Sequence, residues 1–141
     1  MPQDAPATAT RLVDGRLLLS DNCSIDIWTR LHYDAQEPYA VTVTFLLDED
    51  HEVEWVLARD LLGNGLHGRA GEGDVMLRPI PGAISTEVEL MLLAVTGAHA
   101  RVTLPAEAVA AFLRASHHVV PPGAETEHLN LETTISQLLS N

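Results

Sequence analysis

The chain has 141 residues, eight basic against twenty acidic side chains for a formal charge of −12, and 46% apolar residues. Every basic residue other than histidine is an arginine, which excludes chemistry that needs a lysine amine, such as a phosphate-loop lysine or a Schiff base. A single cysteine, Cys23, excludes disulfide frameworks, iron–sulfur clusters and paired-cysteine zinc sites.

This length makes one domain the default and allows ~70% of the unfolded surface to be buried. The arginines are dispersed, the closest pair being Arg11 and Arg16. Together with the acidic excess this leaves no basic patch to hold a polyanion, so neither nucleic acid nor an anionic membrane surface is expected as a direct ligand. The start, MPQDAPATAT, has no basic cluster and no apolar run, and nothing approaches the ~18 apolar residues of a membrane span. A soluble, cytoplasmic protein without membrane insertion is expected.

Residues 1–10 lack periodicity and carry two prolines; they are read as a flexible tail preceding one domain over 11–141. Arg11 to Leu19 reads as a strand interrupted at Asp14-Gly15, a hairpin dipeptide. Ile25, Ile27, Thr29, Leu31 and Tyr33 then alternate with Asp26, Trp28, Arg30 and His32, the period-2 pattern of a half-buried strand. After a turn at Glu37-Pro38, Tyr39, Val41, Val43, Phe45 and Leu47 define the next strand. Asp48-Glu49-Asp50 is a polar turn, and Val53, Trp55 and Leu57 mark another strand. Short connections favour antiparallel pairing.

Ala58 to Leu62 has helical character, with Asp60 suited to the positive end and Gly63 and Gly65 expected to stop it. Residues 63–74 hold five glycines and read as a loop. Strands are predicted near 75–78, 86–95 and 98–104. Pro105 suits the first turn of a helix whose stripe is Val109, Phe112 and Leu113, ended by Pro121-Pro122-Gly123. Asn130 is an N-cap for a last short helix with Leu131, Ile135 and Leu138 on one face, too short to be helical without docking on the body or a neighbouring subunit. The pattern is α+β with antiparallel sheets.

Motifs that carry chemistry fail on context. Gly63-Asn64-Gly65-Leu66-His67-Gly68 spells GxGxxG, but no strand leads into it and no helix follows it. Asp48, Asp50 and Glu52 imitate the start of a calcium loop, but Val53 and Arg59 stand where glycine and glutamate are required. The adjacent pair His117-His118 points ~100° apart on a helix and suits a helix C-terminus better than a metal. Cys23 is expected to be a buried, inert thiol. No cofactor, metal or catalytic residue is assigned. Trp28, placed between Asp26 and Arg30 on the polar side of its strand, asks for a partner surface or a covering helix.

Four segments resemble one family. They are Leu31-His32-Tyr33-Asp34-Ala35-Gln36-Glu37-Pro38-Tyr39-Ala40-Val41, Val53-Glu54-Trp55-Val56-Leu57-Ala58-Arg59-Asp60-Leu61-Leu62, Gly71-Glu72-Gly73-Asp74-Val75, and Phe112-Leu113-Arg114 with Val120-Pro121-Pro122-Gly123. In this order and at these gaps the chain resembles the SsgA-like proteins of sporulating actinobacteria over about residues 11–140. The resemblance implies two antiparallel β-sheets with short helices in a Whirly-like fold, assembled as a homotrimer. It implies no enzyme activity and a part in sporulation-specific septation. Its expected partners are the tubulin-like ring protein FtsZ or other division proteins, among them another SsgA-like protein, and the expected place is the cell septum. Gly63-Asn64 departs from the family's helix-favouring residues and is expected to shorten that helix. Within the motif, Tyr33, Tyr39 and Trp55 read as core. Trp28, Leu61 and Leu62 are the candidate partner contacts. Whirly-like folds also suggest single-stranded nucleic-acid binding as an alternative, against which the charge and the scattered arginines argue.

Overall fold

The computed structural model describes residues 7–128 and Leu139. Its elements are β1 (Thr8–Ser20), β2 (Cys23–Asp34), β3 (Ala40–Asp48), β4 (His51–Ala58), α1 (Arg59–Gly65), β5 (Val75–Pro81), β6 (Thr86–Leu93), β7 (His99–Pro105), α2 (Ala106–Val119) and α3 (Glu125–His128). The strands form one antiparallel sheet in the order β4-β3-β2-β1-β7-β6-β5. The two separate sheets expected from the sequence are thus fused. The reason lies in β1, whose 13 residues pair with β2 along nearly their whole length and also offer Arg16, Leu17 and Leu18 to β7 on the other edge.

β1 is continuous. Asp14-Gly15 makes no turn, and the strand begins at Thr8, so the N-terminal boundary lies inside the tail expected from the sequence. Gly15 is there for close approach: a Cβ at this position would lie 2.7 Å from Leu104 Cδ2 and 3.2 Å from the Ile27 carbonyl oxygen.

Alternation divides the sheet into two faces. The inner face carries Ala9, Val13, Leu31, Tyr33, Val41, Val43, Leu57, Leu77, Val88, Leu90 and Leu104, all buried. α2 lies against β1, β2, β6 and β7 and buries Val109, Phe112, Leu113, Ser116 and Val119, a helical stripe. Its N-cap is Pro105, and it yields to extended backbone at Val120, before Pro121-Pro122. α1 runs through Gly63 and Asn64 to Gly65, so the glycines do not stop it where expected. The closing helix expected from Asn130 onward lies outside the described residues.

Among the described residues, helices cover only part of the inner face. α1, α2 and the β2–β3 turn gather at the end of the sheet where β2, β4 and β7 finish. At the other end, closed by the β1–β2, β3–β4 and β6–β7 turns, the same face is uncovered among the described residues. Ile25, predicted core with Leu31 and Tyr33, is 48% exposed for this reason. Tyr39 likewise departs from its expected core position. It is 46% exposed, and its hydroxyl shares a hydrogen bond with Thr126 Oγ1. Tyr33 is fully buried and donates to the Pro38 carbonyl at 2.8 Å, which pins the turn.

Candidate interaction surfaces

Arg59, the first residue of α1, is a confined cation, only 2% exposed. Its guanidinium donates to the carbonyls of Ser116 (3.2 Å) and Val120 (2.8 Å), where α2 ends, and to Glu125 Oε2 (2.9 Å) at the start of α3. It also sits 4.6 Å from the centre of the Tyr33 ring, a cation–π arrangement. Glu125 accepts from the Gly123 amide as well. The Arg59 hydrogen bond holds the Glu125 carboxyl below the usual carboxylate range. One side chain therefore ties α1, the end of α2, α3 and β2 together. Burial, reinforced by the Arg59 charge, pushes the neighbouring His117 down. No sequence signal links Arg59 to a glutamate 66 positions away.

Of the three predicted contacts, Trp28 stands out on the surface, 53% exposed on the outer face. It lies across from Leu46 of β3, with exposed Leu12 of β1 diagonal to it. No helix covers it among the described residues. Leu62 is corrected: it is 0% exposed and belongs to the core, because its turn of α1 faces inward. Leu61 is half-buried and packs against that core. The structure therefore separates Trp28, on one side of the sheet, from α1 on the other.

The outer face of β1, β7, β6 and β5 is a carpet of ion pairs. Arg16 grips both oxygens of Glu87 at 2.9 Å. Glu89, 1% exposed, accepts from Arg78 Nε at 3.1 Å and from Arg101 Nη2 at 2.7 Å. Cys23 corrects the expected buried thiol. It is exposed beside the β1–β2 turn, where no helix reaches it among the described residues. Gly63 and Gly65 lie within α1, so the GxGxxG spelling belongs to a helix and its end. Asp48 Oδ1 accepts from the Asp50 amide and from the His51 ring, which makes it a turn-former.

The bare end of the inner face forms an apolar groove of about 260 Å³ between Leu17, Ile27, Phe45, Leu47, Val53, Trp55, Leu92, Ala94, Ala98, His99, Ala100 and Val102. Trp55, predicted core, packs partly on the core and partly lines this groove.

Residues 27–125, from within β2 to Glu125 of the Arg59 pair, match the family described as "Streptomyces sporulation and cell division protein, SsgA". The chain belongs to the SsgA family. Among its relatives, the sporulation-specific cell division protein SsgB of Streptomyces coelicolor is 38% identical over 125 residues, 89% of this chain and 90% of that protein. SsgB of Kineococcus radiotolerans is 37% identical over 89% of this chain and 76% of its own length. A solved structure reported as "Mutations in SsgB correlate to longitudinal cell division during sporulation of Streptomyces coelicolor" superposes with a TM-score of 0.84 at 36% identity, covering 90% of this chain and 99% of that one. The SsgA-like sporulation-specific cell division protein of Thermobifida fusca superposes with a TM-score of 0.85 at 27% identity, over 97% and 99% of the two chains. The SsgA-family fold is therefore this mixed arrangement of one antiparallel sheet and short helices. A role in sporulation-associated cell division follows for this member.

Proposed function

We propose that this SsgA-family protein is a non-enzymatic scaffold that helps position or recruit FtsZ at septum sites through protein–protein contact, and that it works in the cytoplasm as a homotrimer. The observation that carries this reading is the alignment of nearly the whole chain with proteins named SsgB, sporulation-specific cell division proteins. A closed trimer presents three copies of one surface and so raises avidity through effective concentration. The exposed Trp28, with Leu12 and Leu46 beside it, supplies the apolar anchor that such a contact needs.

A fluorescent fusion in the sporulating host tests the reading. The Trp28→Ala protein should keep the trimeric mass of the parent in light scattering and lose its septal foci. A monomeric parent removes the trimer. Normal foci of Trp28→Ala remove the contact, and normal division and sporulation without the gene, no paralogue compensating, remove the scaffold.

A further inference from the structure

Among the described residues, the groove at the uncovered end of the inner face is bordered by an acidic turn, Asp48-Glu49-Asp50. Its walls come from β1 and β2, β3 and β4, and β6 and β7. The turns that close the first two pairs carry Asp21 and Asp48-Glu49-Asp50, and no arginine. The nearest arginines in the strands, Arg16, Arg30 and Arg101, lie on the opposite face in pairs with glutamate, and Arg101 also acts on Asp21. His51 and His99 also lie at this end; His51 is hydrogen-bonded to Asp48, and that bond holds the Asp48 carboxyl below its usual range.

We propose that this groove docks a basic, amphipathic segment of a partner protein, its apolar side chains seated between Phe45, Val53 and Trp55 and its cations against the Asp48-Glu49-Asp50 turn. The volume of about 260 Å³ suits a couple of apolar side chains and falls short of the ~300–1,000 Å³ of small-molecule pockets. Leu47 and Val53, 47% and 41% exposed, leave apolar surface open to water beside it. Apolar walls give affinity, and the acidic rim selects by sign. A second copy of this chain carries the same −12 charge. The chain's own last thirteen residues, 129–141, hold Glu132 and no cation. Neither complements the rim, whereas a basic segment does. This inference is independent of the septum reading.

The experiment uses the full chain carrying Trp28→Phe, so that Trp55 is the one remaining tryptophan. Two synthetic amphipathic helical peptides share a leucine stripe and differ in having lysine or glutamate elsewhere. The lysine peptide should shift Trp55 emission and bind about tenfold tighter than the glutamate peptide at physiological salt. Leu47→Ser and Val53→Ser keep every charge and, being at exposed positions, keep the fold by circular dichroism. Each should weaken the lysine peptide about tenfold. Asp48→Asn with Asp50→Asn should narrow the preference for lysine. Equal binding of both peptides overturns the proposal. So does affinity that survives Leu47→Ser, which would mark bulk charge attraction. Self-association broken by Val53→Ser would assign the groove to a second copy. Peptide binding that appears only after truncation beyond His128 would assign it to the chain's own terminus.

Discussion

A guanidinium withdrawn from water is tolerated only where each donor finds an acceptor and a counter-charge stands close. Arg59 has two carbonyls and Glu125 on its terminal nitrogens, with the Tyr33 ring beside it. Removing one partner strands the other, so Glu125→Ala should destabilise by ~3–5 kcal/mol in urea unfolding. The pH dependence follows from the depressed Glu125 carboxyl. Its contribution is complete above the ordinary carboxylate pKa and is lost as pH falls through the lowered value. Glu125→Gln should therefore flatten the acid side of the stability–pH curve, a change read from urea midpoints across an acid series. In the sequence Arg59 looked like an ordinary helix-opening residue, because partners so distant in the chain leave no local periodicity. Leu62 and Cys23 were misplaced for a related reason. Residue type gives the tendency to be buried, but only the position of a helix or a turn decides it.

At the scale of elements, strands were legible because period 2 is written into residues such as Ile27, Thr29, Leu31 and Tyr33 whatever lies on top of them. What covers the face is not written there, so Leu31 and Ile25 look alike in sequence and differ in exposure. α1 shows how two equal residues take opposite roles. A Cβ on Gly63 would meet only Leu113 Cδ1, at an ordinary 3.9 Å, whereas one on Gly65 would come within 2.6 Å of Leu77 Cβ. Gly63→Ala should thus stabilise by ~0.5–1 kcal/mol through helix propensity. Gly65→Ala should destabilise by ~1–3 kcal/mol through forced repacking. Thermal unfolding of the two variants beside the parent checks both signs. Glycine stands at Gly65 for close contact with β5, and α1 passes Gly63 and ends there.

For the whole molecule, charge organisation outweighs charge count. Five of the eight arginines, Arg16, Arg30, Arg59, Arg78 and Arg101, are already paired with glutamates. Few cations remain to release counterions from a phosphate backbone. Fluorescence anisotropy with labelled single-stranded oligonucleotides should accordingly show no saturable binding at micromolar protein and physiological salt. Tight, steeply salt-dependent binding would instead revive the nucleic-acid reading. The count of sheets was the global feature the sequence concealed, since fusion rests on the Arg16↔Thr103, Leu17↔Val102 and Leu18↔Arg101 pairs, between segments with no local link. That short seam also orders events in time. β1 to β4 pair through local hairpins, but the far edge of β1 gains its neighbour only when β7 has been made, and α2 follows β7 directly. While the chain leaves the ribosome, the N-terminal strands therefore wait with an open edge and an uncovered apolar face. In that interval the nascent protein is most open to strand capture by other chains, a hazard that ends when α2 closes over the seam.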